Sequence, residues 1–149
     1  EVRSLLGHVV MRMGGPVIWG CVREPKKASR SSCKAEIGAM DEGCKSVQQL
    51  RNSMHDIQLP DVLHPAPLYN DSNGAVEWSE GVSISKKMRH LNIRECAVRG
   101  AQQNQEITVD TIPGHSNIAD LFTKEFKSDS IFKKLVDFIL SPRLLRGVL

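Results

Sequence analysis

The longest regular pattern in the chain is an apolar stripe between residues 40 and 57. Its members, spaced three or four residues apart as in an amphipathic α-helix, are Met40, Cys44, Val47, Leu50, Met54 and Ile57. Ser31 and Ser32 precede the stripe and are good N-cap residues, so we predict a helix from this point to about Asp56. A helix with one apolar face has to bury that face against another layer of structure.

Short β-type segments surround this helix. Residues 5–13 and 15–22 are apolar and β-prone, and the turn-forming letters MGGP between them predict a β-hairpin. The segments PLYND and EITVDTI predict two further strands, a short helical turn is expected at residues 75–78, and a last helix is expected over residues 118–140. The order β-β-α-β-α-β-α predicts an α/β (α+β) fold, a mixed sheet with flanking helices.

Composition limits the classes of protein that need to be considered. A length of 149 residues fits one domain, and a net charge of +3 is too small for a protein that coats nucleic acid, so any polyanion contact should be local. The four cysteines are scattered, which favours a reducing, intracellular location, and no apolar run is long enough for a membrane span. The start at Glu1 rather than at a methionine suggests a piece of a longer protein.

Three acidic residues stand at positions that could carry chemistry. Glu36 falls on the apolar stripe, where burial of a lone carboxylate is costly unless a cation lies beside it. Alternatively, its negative charge could interact favourably with the positive end of the helix dipole or pair with a core arginine. Asp71 ends a predicted strand, although the following Ser-Asn-Gly also fits an Asx-turn. Asp120 lies three residues after Asn117, so it could be the acidic member of an N-terminal cap. It also lies off the apolar stripe of the last helix, so its side chain need not face the core.

These three carboxylates could form a metal site if the fold brings them close together. Mg²⁺ takes oxygen ligands and keeps water and substrate phosphate in its shell. Two such ions can activate a water and stabilise the leaving oxygen when a phosphodiester is cleaved. A cluster of Glu36, Asp71 and Asp120 would therefore predict a magnesium (or manganese) site.

A basic segment could contact nucleic acid. Its candidate residues for the phosphate backbone are Lys86, Lys87, Arg89, His90, Arg94 and Arg99. Such contacts would give salt-dependent affinity without sequence preference. The alternative is a solvated helix face.

Four short sequence segments, in this order and at this spacing, resemble the ribonuclease H domain of copia-type retrotransposon polyproteins. They are SRSSCKAEIGAM, PLYNDSNGAV, KKMRHLNIRECAVR and TIPGHSNIADLFTKEF. The opening segment is also similar to the second and third strands of that family, with a tryptophan retained at Trp19. The similarity covers about residues 3–127, so we expect a ribonuclease H-like domain over 1–127 and a C-terminal helix and tail over 128–149.

The resemblance implies a function and a set of site residues. The family's metal-binding acids fall on Glu36, Asp71 and Asp120, and His115 resembles the loop histidine used near product release, although a histidine between Pro-Gly and Ser-Asn can also be an ordinary loop residue. The implied activity is Mg²⁺-dependent cleavage of RNA in an RNA–DNA hybrid, recognised by groove shape. The implied partners are the hybrid and the upstream reverse transcriptase region of the same polyprotein, with no membrane. The implied location is the cytoplasm, a virus-like particle or the nucleus.

The chain also departs from the family. The family's first catalytic acid lies on a first strand that would precede Glu1, so a fourth ligand is expected to be missing and the chain alone is expected to be inactive. That strand lies centrally, and its loss should leave two unpaired sheet edges unless the remaining strands pair anew. Lys34, Asn92 and Cys96 differ from the usual family residues. The alternative function is an inactive retroelement remnant that binds nucleic acid or another partner.

Overall fold

The structure is a computed structural model that describes residues 4–24, 32–59, 65–81 and 93–140. The structure contains both helices and strands, which confirms the predicted α/β (α+β) class. In chain order, the helices and strands are β1 (Leu5–Arg12), β2 (Gly15–Arg23), α1 (Ser32–Asp56), β3 (Ala66–Asn70), α2 (Asn73–Ser79), α3 (Ile93–Gln103), β4 (Ile107–Thr111) and α4 (Asp129–Leu140). Two short 3₁₀ helices, Gly114–Ser116 and Ile118–Phe122, lie between β4 and α4.

β1 and β2 form the predicted antiparallel hairpin. Its two turn residues, Met13 and Gly14, both have positive φ angles, of 50° and 82°. Two positive angles in a two-residue loop match the twist of the flanking strands, and glycine adopts such an angle at little cost. The hairpin prediction is confirmed, with a register irregularity between Val10 and Met11.

β3 and β4 form a second, parallel pair, with α2 and α3 in the connection between them. Apolar side chains from β4 and from the three neighbouring helices make one buried cluster, and the partly buried Leu68 of β3 packs against it. Its members are Ile37, Met40, Cys44, Ala75, Val76, Trp78, Val98, Ala101, Ile107 and Val109. The stripe predicted for α1 supplies Met40 and Cys44 to this cluster, whereas Ile57 lies beyond the end of the helix and is exposed.

No ladder joins the two sheets in the described part of the chain: β1 pairs with β2, and β3 pairs with β4. Among the described residues, the predicted single mixed sheet is therefore present as two separate pairs with unpaired edges, and the loss of a first strand stays a prediction. α1 packs against both β1 and β3 and bridges the two sheets. Gly43 of α1 lies close to both, since a Cβ placed on it would be 3.8 Å from His8 Cβ and 3.7 Å from Leu68 Cδ1.

The contacts along α1 give the directions of the two strands. Successive contacts of β1 with α1 are Leu6 with Gly38, His8 with Ser46, and Arg12 with Met54. β1 thus runs in the same direction as α1. β3 runs in the opposite direction, because Leu68 lies by Gly43 and Asn70 lies by Glu36. β1 and β3 are therefore oppositely directed on one helix.

The predicted last helix over 118–140 is wrong as a single element. Its first part is the 3₁₀ helix Ile118–Phe122, and α4 begins only at Asp129. The segment contains two helix starts: Asn117 caps the first through its Oδ1, which accepts a hydrogen bond from the Ala119 amide at 3.1 Å, and Ser128 and Asp129 are typical start residues for the second. The Phe126 ring, which lies between the two helices, packs on the Phe132 ring of α4 with 5.8 Å between the ring centroids.

Among the helices that the structure describes, none is long and apolar enough to cross a membrane.

Candidate functional site

Glu36 is the fifth residue of α1 and lies half-buried where the helix faces the end of β3. Its Oε2 accepts a hydrogen bond from Asn70 Nδ2 at 3.3 Å. This partner is an amide rather than the core arginine considered from the sequence, and Glu36 lies beyond the first turn, which contains no acidic residue. The helix dipole, strongest in that first turn, is therefore a weak explanation for the position of this acid.

The charges of the other two acids act on Glu36. Burial raises the pKa of the Glu36 carboxyl above its ordinary value of 4.5, and the negative charges of Asp71 and Asp120 raise it further. The Asn70 hydrogen bond and the Lys124 charge oppose this shift. Three acids that are distant in sequence thus belong to one electrostatic group.

Asp71 directly follows β3, as predicted. The Asx-type hydrogen bond of this turn is made by its neighbour, since the Ser72 amide donates to Asn70 Oδ1 at 2.8 Å. The side chain of Asp71 is 16% exposed, and its Oδ2 lies 3.8 Å from Lys124 Nζ. Because Asn70 makes the turn, Asp71 is directed into the site.

Asp120 lies in the second 3₁₀ helix and is buried, which corrects the expectation that it need not face the core. Asn117 provides the cap of that helix. The Lys124 ammonium donates to Asp120 Oδ2 at 2.8 Å, and the Lys124 amide donates to the Asp120 carbonyl at 2.9 Å. Asp71 and Asp120 therefore share one cation that belongs to the chain itself.

Lys124 and Asn70 are the site residues that sequence reasoning missed. Burial alone would lower the pKa of the Lys124 ammonium, but the hydrogen bond to Asp120 and the charges of Asp120, Asp71 and Glu36 together raise it. Lys124 lies four residues after Asp120, a spacing that brings side chains together in one helical turn. From that spacing, the pairing of Lys124 with Asp120 could have been predicted from the sequence. The contact with Asp71 could not be found in this way.

A cleft adjoins the acids, with a volume of about 200 Å³. Glu36, Asp120 and Lys124 line it together with the small residues Gly7, Ala35 and Ala39. The small side chains leave space beside the carboxylates of Glu36 and Asp120.

His115 lies in the first 3₁₀ helix and is exposed. Its neighbour Gly114 is close to the acids, because a Cβ on Gly114 would be 3.3 Å from Asp71 Oδ2. The loop that carries His115 therefore borders the site, while its role near product release stays a prediction.

The predicted nucleic-acid contacts are described only in part. Lys86, Lys87, Arg89 and His90 lie outside the described residues, and Arg94 is in the first turn of α3. The Arg99 guanidinium lies 4.3 Å from the centre of the Trp78 ring, and its Nε donates to the Trp78 carbonyl at 2.8 Å. The observed contacts of Arg99 thus stabilise packing, and its phosphate contact stays a prediction.

The predicted metal site can be compared with this geometry. Within the described residues, no group of three or more His, Cys, Asp or Glu side chains is arranged to hold a metal ion. The donors still suit Mg²⁺ in kind, because they are carboxylate oxygens and two of them share a cation. The arrangement as it stands is two aspartates bridged by an ammonium, with Glu36 beside them.

The raised pKa of Glu36 predicts a pH-dependent effect of Glu36→Gln on stability. A carboxyl whose pKa is raised by folding contributes stability below its unfolded value, near 4.5, and loses that contribution as pH rises through the folded value. In EDTA we therefore expect Glu36→Gln to be more stable than the unchanged chain at pH 7, since glutamine can still accept the Asn70 hydrogen bond. The advantage should shrink toward pH 4.5 and vanish below it.

Urea unfolding followed by circular dichroism between pH 4 and pH 8 measures this difference. Glu77→Gln is the matched control, because Glu77 is exposed on α2. A Glu36→Gln effect that does not change with pH, or a loss of stability at pH 7, would contradict the prediction.

In comparisons with known proteins, no protein-family model matches the chain, and no solved structure matches it at a significant level.

Proposed function

We propose that this chain is a ribonuclease H-like domain that binds RNA–DNA hybrid and, when its sheet is completed, cleaves the RNA strand with Mg²⁺ or Mn²⁺. One observation carries the proposal. Asp71 and Asp120, from two separate segments, share a cation, and their charges act on Glu36 from a third segment. In the sequence segments that resemble that family, these three residues stand at the positions of its metal-binding acids.

The chain's own residues would have distinct tasks. Asp71 and Asp120 would hold a divalent ion through their carboxylates, with Glu36 beside them. Asn70 would orient the Glu36 carboxylate through its amide, as it does here. The bound ion would supply Lewis-acid stabilisation of the charge that develops when a phosphodiester is cleaved.

The unpaired strand edges of the two sheets, among the described residues, support a partner as part of this proposal. Unpaired strand edges can bind an added extended segment through main-chain hydrogen bonds. Because β1 and β3 are oppositely directed, one strand inserted between them would be parallel to one of them and antiparallel to the other. We propose that this segment comes from the upstream reverse transcriptase region of the same polyprotein and that it completes the catalytic sheet.

A second candidate is a binding module without turnover. It is favoured by the position of Lys124, which offsets part of the charge of the two aspartates, and by the lack of a ready metal-binding group in the described residues. Both candidates share hybrid binding, with the basic segment around residues 86–99 as the phosphate contact. They differ in whether the RNA strand is cut.

Two assays on one labelled RNA–DNA hybrid test the proposal. Fluorescence anisotropy measures binding, which should weaken as salt rises because phosphate contacts release counterions. Gel analysis of the labelled RNA strand in Mg²⁺ measures cleavage, with the chain alone and with the reverse transcriptase region added. We expect binding in both cases and cleavage only with the added region.

Asp71→Asn should abolish that cleavage while leaving binding largely intact. Asp110→Asn is the matched control, since Asp110 is an exposed aspartate on the neighbouring strand β4, and it should cut normally. Equal cleavage by Asp71→Asn would refute the assigned site. Binding without cleavage under every condition would favour the second candidate, and lack of hybrid binding would remove both.

A further inference from the structure

The site contains a cation of its own. Lys124 Nζ lies 2.8 Å from Asp120 Oδ2 and 3.8 Å from Asp71 Oδ2, so one ammonium lies between two carboxylates from different segments. A divalent ion bound by both aspartates would lie against the same two carboxylates, close to the ammonium. An ammonium and a metal ion only a few ångströms apart repel each other strongly, and water screens them poorly at a partly buried site.

The two partners of Lys124 are held more firmly than Lys124 itself. The side chains of Asp71 and Asp120 are 16% and 13% exposed, whereas that of Lys124 is 54% exposed. A side chain with half of its surface in solvent can turn away without unpacking the core. The adjoining cleft is lined by Lys124, Glu36 and Asp120, so an arriving ion and its water molecules have space beside Asp120.

We propose that Lys124 is a positioning residue that acts as a built-in counter-ion: its ammonium holds Asp71 and Asp120 together in the metal-free chain and has to leave before Mg²⁺ binds. Lys124 thereby sets the Mg²⁺ concentration at which the site fills. This inference rests on the proposed function, because it requires that the site takes a divalent ion.

Isothermal titration of the metal-free, full chain with Mg²⁺ tests the competition. Lys124→Met retains most of the aliphatic side chain and removes the charge, and we expect it to bind Mg²⁺ about 5- to 150-fold more tightly, the usual range for energetic coupling between ligands. Lys124→Gln is a second neutral variant in case the first folds poorly. Lys127→Met, three residues further along and also exposed, is the control and should bind like the unchanged chain.

A second measurement follows the ammonium itself. In an NMR experiment on the unchanged chain that detects lysine side-chain nitrogens, the Lys124 signal should move toward that of a solvated lysine as Mg²⁺ is added. A purely structural ion pair would remain in place and its signal would not move.

The outcomes separate this inference from the function on which it rests. Equal Mg²⁺ affinity in Lys124→Met, Lys124→Gln and the unchanged chain, together with lost binding in Asp120→Asn, would keep the metal site and overturn the role of Lys124. Mg²⁺ binding by none of these proteins would overturn the metal site, and the inference with it.

Discussion

Replacement of Trp78 by alanine is expected to lower the free energy of unfolding by about 3 to 5 kcal/mol, as for other buried tryptophan truncations. Trp78 is 2% exposed, belongs to the central apolar cluster and lies under the Arg99 guanidinium. The substitution removes a large apolar surface, leaves a cavity and deprives Arg99 of its stacking partner. Urea unfolding followed by far-ultraviolet circular dichroism measures the loss.

The chain provides a matched control for this substitution. Its other tryptophan, Trp19, lies on β2 and is 59% exposed, so Trp19→Ala should change stability by no more than about 0.5 kcal/mol. Similar losses for the two variants would show that the structure assigns the core wrongly. A loss at Trp78 has a functional consequence too, because α2 begins two residues after Asp71 and Trp78 anchors that helix in the core.

Gly7→Ala is expected to destabilise the chain by about 1 to 3 kcal/mol, the usual cost of forcing an extra methyl group into a packed site. A Cβ on Gly7 would lie 2.5 Å from Thr123 Cγ2 and 2.9 Å from the Ala119 carbonyl oxygen. The second contact is with backbone, so the 3₁₀ helix that carries Asp120 would have to move away from β1. This cost should outweigh the smaller gain from restricting glycine in the unfolded chain.

Gly15→Ala is the control, since no heavy atom lies within 4 Å of a Cβ at that position. Thermal or urea unfolding of both variants measures the difference. If the chain binds Mg²⁺ as proposed, the displacement of Asp120 should also weaken that binding in Gly7→Ala. If Gly7→Ala were as stable as Gly15→Ala, the close approach of β1 to the 3₁₀ helix would be wrong.

The elements that sequence reasoning predicted correctly are those with strong local patterns. The stripe through Met40 and Cys44 predicted α1 because a helical period is visible in residues three and four apart. The hairpin turn was visible because Gly14, Gly15 and Pro16 are typical turn residues. In both cases, neighbours in sequence are also neighbours in space.

The error at Asp120 has a physical cause. Its orientation was inferred by continuing the helical period of Leu135 backwards to residue 118, but the chain leaves the helix between Phe122 and Asp129. Once the helix is interrupted, the angle between Asp120 and Leu135 no longer follows from their spacing. Asp120 is instead buried in a 3₁₀ helix that contacts β1, and it is paired with Lys124.

The sequence by itself determined where the acids lie along the chain: Glu36 in a long helix, Asp71 after a strand and Asp120 after a cap residue. Each of those placements depends on interactions within a few residues. The tertiary structure alone decided that these acids act on one another and that Lys124 is the cation between Asp71 and Asp120. Those contacts form because α1 packs on β1 and β3 together and Gly7 lets the 3₁₀ helix approach β1, and a linear pattern does not encode such distances between segments.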